Sequence, residues 1–426
     1  MNTKLLIEEK RNRNLLCELL LRGGRPHGVA LLFCAMLFQA PYAGAVAFRL
    51  PNQDPEAIAR GNAFAATADN PSAIYYNPAG ITQLEGQNFS AGLYLISAGD
   101  TFQGTGNASA KTKSEFQPVP QFYYVNAPAD FPLAFGLGVY VPYGLSLDWG
   151  NNNPFRNVTQ DGAMLYATVN PVVAWKITPE LSIAIGPTIN YSKVDFNQGV
   201  SAPNDQFHFV GDDYNFGFTA GARWQPIDML AFGVNYRYSS PMDYKGHTTY
   251  TSTLVTLSDV NTTGSLNFPQ NVVGGISFRP TPNWNIEFDL DWTDWHVVKS
   301  AVFQNTALGP TITLPLNYQS SFMYEFGVTR KLPKNYFVSA GYIYSENSSP
   351  NQYFDPLVPD GDLHLANIGF GHKGQKWNWA ISYTAAINPG RHVANDSFDT
   401  GAPGTMVEGV YRTFNNAINA SVGFKF

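Results

Sequence analysis

Acidic and histidine side chains between residues 287 and 296 have the spacing in this sequence that could support catalysis or metal binding. Asp294 and His296 stand two residues apart, so on a strand they share one face, where a carboxylate beside an imidazole could perform acid–base hydrolysis. Asp289-x-Asp291-x-x-Asp294 has calcium-like oxygen spacing, but no Gly or Glu follows at the positions that a calcium loop needs. GxSxG, HExxH and Walker motifs are absent from the sequence. We therefore expect a protein that is not an enzyme and has no cofactor or metal, with an outer-membrane hydrolase as the weaker alternative.

The elements that carry these residues are strands with two unlike faces. After Gln87, apolar residues alternate with small polar ones, as in Leu181–Asn190, and a period of two is typical of strands. The second face carries Gly, Ser, Thr and Asn, whereas a soluble sandwich would carry Lys and Glu. Charged residues make up only 14% of the chain, against about 25% in soluble domains. This pattern predicts a membrane β-barrel, with one strand face on lipid and the other on the lumen.

The connections between strands alternate in length. Short polar turns lie near Pro128–Phe131, Thr178–Glu180, Pro226–Asp228, Pro280–Asn283, Pro333–Asn335 and Lys373–Lys376. Long stretches lie near Gly99–Glu115, Pro142–Gly162, Asn197–Asp213, Thr253–Gly264, Val297–Asn317, Ser348–Gly361 and Pro389–Val410. Six short and seven long connections predict an all-β, 14-stranded antiparallel transmembrane barrel. The count requires Met229–Ser252 to be one strand despite Pro241.

The first 45 residues read as a secretory signal peptide. Basic residues precede a short apolar core, Val29–Phe38, and a small-x-small cleavage signal ends at Ala45, so the mature chain would begin at Val46. Both cysteines lie in this leader, which excludes disulfides from the mature chain. Removing the leader leaves 20 basic against 29 acidic residues, so nucleic acid is not an expected partner. The chain ends an alternating strand on Phe426, which resembles the signal read by the outer-membrane barrel assembly machinery.

Residues 46–87 are neither a predicted helix nor a predicted strand. They are rich in alanine and are interrupted by prolines, and they end in the turn sequence Asn77, Pro78, Ala79, Gly80. A barrel of fourteen strands is wider than one filled by its own side chains, so it would leak unless something occupied the lumen. We therefore divide the chain into a leader (1–45), a hatch or plug inside the lumen (46–87) and the barrel (88–426).

This segment resembles the hatch of the FadL/TodX family of outer-membrane transporters. The resemblance rests on Ala47-Phe48-Arg49-Leu50, on Ala59-Arg60-Gly61 and on TADNPSAIYYNPAGIT, which contains the hatch motif. It implies passive transport of long-chain fatty acids or aromatic hydrocarbons, with capture in extracellular loops, hatch rearrangement and lateral release into the outer leaflet. The expected partners are a hydrophobic small molecule, outer-membrane lipid and lipopolysaccharide, and we expect a monomer. A general diffusion porin is the alternative.

Two sets of residues are candidates for ligand binding. An aromatic-rich loop at Pro142–Gly162 could capture an apolar ligand or instead anchor the protein at the lipid interface; its residues are Tyr143, Leu145, Leu147, Trp149 and Phe155. A fatty-acid carboxylate needs a cation, which Arg156, Arg237 or Arg279 could supply, whereas an aromatic hydrocarbon needs none. The sequence leaves the choice open and we favour fatty acids.

One further set of charges is expected to face the lumen. If Ile286, Phe288, Leu290 and Phe326 face lipid, the opposite face carries Glu287, Asp289, Asp291 and Glu325, and Arg223, Arg237 and Arg279 share it. An acidic stripe with arginines nearby could hold a polar plug by charge-assisted hydrogen bonds. A hydrated lumen wall of no special role explains the same pattern equally well.

Overall fold

The strands close into a ring. The computed structural model describes residues 47–114, 116–202 and 204–426, and within them fourteen antiparallel strands form a barrel that closes where the last strand pairs with the first. These strands are β1 (Gly86–Ser97), β4 (Phe116–Ala127), β5 (Leu133–Asp148), β6 (Asp161–Lys176), β7 (Leu181–Gly199), β8 (Gln206–Ile227), β9 (Leu230–Ser239), β12 (Asn271–Thr281), β13 (Trp284–Thr293), β16 (Ser321–Lys331), β17 (Tyr336–Ser345), β18 (Leu363–Lys373), β19 (Trp377–Val393) and β20 (Gly409–Lys425). The predicted strand number is confirmed. The predicted leader and its cleavage site at Ala45 and Val46 lie outside the described residues.

The two faces of the wall differ as predicted. In β7, Ile183, Ile185 and Ile189 are 40–56% exposed on the outside, whereas Thr188 and Asn190 point inward and are almost fully buried. Strands of about 9–11 residues are enough to cross a bilayer at the usual tilt. Because several ring strands are longer than this, the wall continues beyond the membrane at its loop end.

Much of the sequence predicted as long loops forms β-strands. Within the described residues, six further strands extend the wall: β2 (Asp100–Gln103), β3 (Ser109–Lys111), β10 (Met242–Thr251), β11 (Thr256–Leu266), β14 (Ser300–Thr306) and β15 (Gly309–Pro315). In the predicted loop Pro142–Gly162, β5 continues to Asp148 and β6 begins at Asp161. These segments lie above the membrane, so their outward faces are polar and lack the lipid-facing apolar residues that mark the membrane strands.

The predicted strand Met229–Ser252 is two strands along one path. Both β9 and β10 pair with β8, and they are separated by a break at Ser240 and Pro241. Proline has no N–H to donate to the ladder, which accounts for the interruption. The path therefore contributes a single strand to the ring, as the predicted count requires.

Strand β5 bends away from its neighbour β4. The two strands pair only from Phe122 to Asn126, and β5 carries a register shift between Tyr140 and Tyr143. Above this shift β5 bonds to the N-terminal segment instead: the N–H of Gly144 donates to the carbonyl of Phe48 (2.8 Å), with an isolated bridge between Arg49 and Tyr143. Val141 lies within this shift and is fully buried.

The predicted hatch segment contains only short helices. Helix α1 spans Pro55–Ala59, α2 spans Ala73–Tyr76, and a 3-10 helix spans Pro78–Gln83. Asp54 caps α1 by accepting the N–H groups of the first turn at 3.0 and 3.4 Å. No helix among the described residues is long and apolar enough to span a bilayer.

Strand glycines bring the wall and the hatch backbone into direct contact. A Cβ built on Gly341 would lie 2.1 Å from the backbone nitrogen of Gly61, and one on Gly327 would lie 2.1 Å from the carbonyl oxygen of Arg60. On the β8–β9 side, a Cβ on Gly233 would lie 2.0 Å from the carbonyl oxygen of Ala65. The strands at these places need glycine because the hatch backbone occupies the space of a side chain.

We predict that Gly341→Ala displaces the hatch, because its methyl group would overlap backbone atoms that cannot move like a flexible side chain. Overpacking of this kind costs about 1–3 kcal/mol. The expected results are a lower thermal midpoint of the folded barrel and a raised ion conductance in planar bilayers. Gly274→Ala is the matched control, since no atom lies within 4 Å of a Cβ built there. Equal behaviour of the two variants would contradict the prediction.

Candidate functional site

A column of buried carboxylates on β13 binds the hatch backbone. The carboxylates of Asp289 and Glu287 accept the amide N–H groups of four successive residues, 64–67, at 2.7–3.1 Å. Glu287 also forms an ion pair with Arg60 of the hatch at 3.0 Å. Both carboxylates are at most 1% exposed. Because each carboxylate accepts two successive N–H groups of the hatch backbone, these contacts fix the position of the segment.

A second ion pair joins the start of the hatch to the same strand. Arg49 meets Asp291 at 2.7 and 2.8 Å through two nitrogens and also donates to the hydroxyl of Thr293 at 2.7 Å. Both partners are almost fully buried. Glu325 lies beside them on β16 and is 2% exposed. The acidic stripe thus contacts the plug, and its ion-pair partners are arginines of the hatch rather than arginines of the wall.

The wall arginines predicted for the lumen face, of which Arg237 and Arg279 are also ligand candidates, contact the hatch or the far end of the barrel. Arg237 donates to the carbonyl of Tyr75 at 2.7 Å, and its guanidinium lies 4.2 Å from the centre of the Tyr75 ring. Arg223 donates to the carbonyl of Ala66 at 2.8 Å. Arg279 is half-buried next to the β8–β9 turn, where its backbone N–H donates to Met229 at 2.8 Å.

Asn77 connects the hatch to itself and to the wall. Its side-chain oxygen accepts the N–H of Ala79 at 3.2 Å, and its amide nitrogen donates to the carbonyls of Ala65 and Ala222 at 2.8 and 2.9 Å. A Cβ on Gly221 would lie 2.3 Å from the Asn77 oxygen, so the wall is also shaped for this residue.

The rest of the hatch motif forms a compact turn. Pro78 opens the 3-10 helix, where its missing N–H costs nothing, and Ala79 is fully buried. A Cβ on Gly80 would lie 2.2 Å from the carbonyl oxygen of Ala68, so no larger residue fits there. The motif therefore holds two passes of the hatch chain together.

An apolar cavity lies above the hatch at the loop end of the barrel. The space between its lining residues is about 940 Å³ when the part open to solvent is included. Its apolar lining comes from the hatch, the upper wall and three of the loops and includes Phe48, Leu145, Val158, Met164, Val194, Phe196, Phe207, Tyr244, Leu266, Phe303, Ile312, Leu314, Leu316, Tyr318, Leu357 and Val358. Phe48 is the hatch residue in this lining, and its ring packs edge-on against Trp295 with the centroids 4.8 Å apart.

The five residues predicted for ligand capture fall into two buried clusters. Tyr143 and Leu145 pack with Phe48, whereas Leu147, Trp149 and Phe155 pack under the extracellular loops with Phe102 and Tyr411. Of the five, Leu145 lines the apolar cavity. The stretch is therefore not an exposed capture loop, because strand β5 carries its first half inward and the second half forms the core of the loop cap.

Arg156, the remaining candidate for a carboxylate, is bonded to the loops themselves. Its guanidinium donates to the backbone carbonyls of Asn151, Ala202 and Asp205 at 2.8–3.1 Å. It does not line the apolar cavity. The three arginines predicted to bind a carboxylate thus lie in separate places.

The candidate hydrolytic pair is not assembled. Asp294 accepts hydrogen bonds at 3.0 Å from Gln270 and from Ser320, while His296 is exposed on a short 3-10 turn, Trp295–Val297. Asp289 and Asp291, which gave the calcium-like spacing, are the residues that bind the hatch.

The bend in β5 leaves an opening in the wall. A second cavity, about 850 Å³ when the part open to solvent is included, lies at the upper ends of β4 to β8, and its polar lining includes Lys113, Asp148, Asp161, Asp195 and His208. It shares Asp161 and Asn197 with the apolar cavity. Contacts across the opening include a hydrogen bond from Gln117 to Ser146 (3.4 Å), an ion pair between Lys113 and Asp148 (2.5 Å) and a backbone hydrogen bond from the N–H of Lys113 to the carbonyl of Asp148 (2.9 Å).

Much of the cavity lining was missed from the sequence although a signal was present. Ile312, Leu314 and Leu316 alternate within a stretch that was predicted as a loop, and so do Phe207 and Phe209. Their polar intervening residues face water rather than lipid, and this made the segments look like loops. For Phe48, the sequence indicated a position in the hatch but not a contact with a ligand cavity.

Comparison with known proteins finds one family over most of the chain. The model of the outer membrane protein transport protein family (OMPP1/FadL/TodX) matches residues 36–388. A long-chain fatty acid transport protein of Salmonella typhi is 22% identical, with 71% of this chain and 78% of that protein covered. Outer membrane protein P1 of Haemophilus influenzae is 23% identical, with 81% and 86% covered.

Solved structures share the fold. A Pseudomonas aeruginosa FadL homologue aligns with a TM-score of 0.76 at 17% identity, covering 89% of this chain and all of that one. The toluene transporter TodX of Pseudomonas putida aligns with a TM-score of 0.67 at 16% identity, covering 84% and 94%.

We predict that Arg49→Met loosens the start of the hatch, because it leaves Asp291 buried without its cation. Breaking a buried ion pair from one side costs about 3–5 kcal/mol. Faster amide hydrogen exchange at residues 47–53 is the expected measurement. The double variant Arg49→Met/Asp291→Leu should regain much of the protection, and similar exchange in the single and double variants would count against the ion pair as a latch.

We predict that the loop cap becomes more stable as pH falls. Burial raises the pKa of Asp355 and of Asp396 to about 6. The closed cap therefore binds these protons more tightly than an open one, so stability grows as pH falls through about 6 and levels off below the ordinary carboxyl pKa. Amide exchange at residues 350–358, corrected for its intrinsic pH dependence, should slow between pH 7.5 and 5. Asp355→Asn should flatten this response, and an unchanged pH profile in that variant would contradict the assignment.

Proposed function

Because the chain belongs to the outer membrane protein transport protein family (OMPP1/FadL/TodX), we propose that it carries hydrophobic molecules passively across the outer membrane. Relatives named for long-chain fatty acid and for toluene transport define the two ligand classes. The observation that carries the proposal is the apolar cavity that the hatch residue Phe48 closes from below. We infer that the protein is not an enzyme, acts as a monomer among lipid and lipopolysaccharide, and is assembled through Phe426.

Capture is the favourable step. Each buried CH₂ contributes about 0.8 kcal/mol, so an acyl chain or an aromatic ring gains several kcal/mol in a lining of this kind. The lining is already assembled from wall and loop residues, and little ordering is needed when a ligand enters. Release is the harder step, since transport requires a site that is weak enough to leave.

Release can be driven by movement of the hatch. Phe48 lines the cavity, while the next residue, Arg49, holds the hatch to β13 and its backbone bridges to β5. A ligand that displaces the Phe48 ring therefore pulls on the ion pair and on the bent strand together. We propose that this movement opens the way from the cavity toward the wall.

The proposed exit is the opening between β4 and β5. It lies beside the cavity, and the residues shared by the two cavities form the partition between them. A ligand leaving at the lower end of this opening, where the pairing of β4 and β5 stops at Phe122 and Val139, would enter the outer leaflet sideways and would not cross the filled lumen. A general diffusion porin fits less well, because the carboxylates that would line a hydrated channel bind the hatch backbone.

Uptake by a deletion strain tests the proposal. Loss of the gene should reduce growth on oleate or on toluene as carbon source, and expression of the chain should restore it. Purified protein in planar bilayers should show little steady ion conductance, whereas a porin would conduct. Unchanged uptake of both compounds, or a large open conductance, would overturn the transport assignment.

We predict that closing the wall stops transport. The mature chain has no cysteine of its own, so Gln117→Cys/Ser146→Cys gives a unique thiol pair across the opening. A short bifunctional thiol reagent that links the pair should reduce uptake at least about tenfold, while binding in the cavity is kept. Each single-cysteine variant, treated with the same reagent, is the control. Full uptake by the cross-linked protein would exclude this exit.

A further inference from the structure

The apolar cavity lacks a cation for a carboxylate. Among the residues that the structure describes, neither lysine nor arginine lines it. The charged residues of the lining are Asp161 and Asp355. Asp355 is 9% exposed, and its carboxylate accepts the N–H of Leu357 at 2.8 Å, another residue of the lining. An anion in this cavity would therefore meet like charge and no counter-ion.

The cations around the cavity are bonded to the protein itself. Arg156 donates to three backbone carbonyls. Arg391 lies beside the loop that supplies Asp355, where it donates to the carbonyls of Asp360 and Ser349 and stacks over Phe354 at 4.7 Å. Moving either guanidinium into the cavity would leave these carbonyls without their donors, which opposes the movement.

The polar groups that remain in the lining are neutral. Thr159, Asn197, Gln198 and Ser265 can exchange hydrogen bonds with a hydroxyl or a carbonyl group. They cannot compensate an ionised carboxylate, which would bind only after taking up a proton. At pH 7.5 that requirement lowers the affinity of a carboxylic acid at least about 100-fold, because its ordinary pKa lies about three units lower.

We propose that the cavity selects uncharged hydrophobic molecules, such as hydrocarbons and long-chain alcohols, and rejects fatty-acid anions. This inference rests on the proposed transport function and reverses the preference for fatty acids drawn from the sequence. It follows from the lining of the cavity, since the arginines that motivated that preference are absent from it.

Calorimetric titration of the purified full-length protein with 1-decanol and with decanoate at pH 7.5 tests the proposal. The two probes share one chain length and differ in the head group. We expect 1-decanol to bind at least about 100-fold more tightly than decanoate. Equal affinities, or tighter decanoate binding, would overturn the selection of neutral ligands while leaving the transport function intact. If neither probe binds, the proposed function itself fails.

A charge added to the cavity supplies the second test. Gln198 lines the cavity and makes no side-chain hydrogen bond within the described residues, so its replacement breaks no side-chain hydrogen bond. Gln198→Lys should raise decanoate affinity at least about tenfold and leave that for 1-decanol nearly unchanged. Gln198→Met is the control of similar length without charge. An equal gain in both variants, or none in Gln198→Lys, would contradict the charge argument.

Discussion

The contact on which the structure depends is that between buried carboxylates of β13 and the bare N–H groups of the hatch. A segment with two short helices leaves many backbone donors without partners, and inside a closed barrel each would cost free energy if it remained unpaired. Glu287 and Asp289 accept four of these donors in succession. Wall arginines do the complementary task for hatch carbonyls. Side chains of the wall therefore form hydrogen bonds with the hatch backbone that a regular helix or strand would form within itself.

This arrangement explains why a filled lumen is compatible with movement. Hydrogen bonds between a rigid wall and a short irregular segment are local, so one end can be released while the remainder holds. Residues 64–67 and Asn77 hold the middle and the end of the hatch, whereas the start is held by Arg49 and by two strand-like bonds to β5. The start is also the part that reaches the cavity. The segment best placed to sense a ligand is thus held separately from the part that fills the barrel.

The sequence was sufficient to predict the strands that have lipid on one face and the barrel lumen on the other. Alternation such as Ile183, Ile185 and Ile189 is imposed by lipid on one side and a crowded lumen on the other, and it predicts membrane strands. The number fourteen follows from the six short and seven long connections between them. The same signal weakens where the outward face meets water instead of lipid. The segments above the membrane were interpreted as loops for that reason, and Leu314 was lost from the predicted site.

Charges were harder to place than strands. Parity put Glu287 and Asp289 on the lumen face, but sequence could not show that a hatch N–H lies within 2.8 Å of each, because those partners are more than 200 residues away in the chain. For the same reason, the sequence could not show that an arginine predicted to bind a ligand carboxylate is bonded to the hatch. Arg237 has the parity of a lumen residue, yet the Tyr75 carbonyl already takes its guanidinium.

An arginine on the lumen face is therefore not by itself evidence for an anionic ligand. Its N–H groups must first be shown to be free of partners within the protein. In this barrel the plug itself uses cations of the wall, since the carbonyls of Ala66 and Tyr75 accept hydrogen bonds from wall arginines. Arg223 and Arg237 are accordingly directed to the plug, and the cavity above it is left without positive charge. The selectivity proposed for the cavity thus follows from the way the lumen is filled, because the polar hatch binds the arginines that would otherwise be available to a ligand.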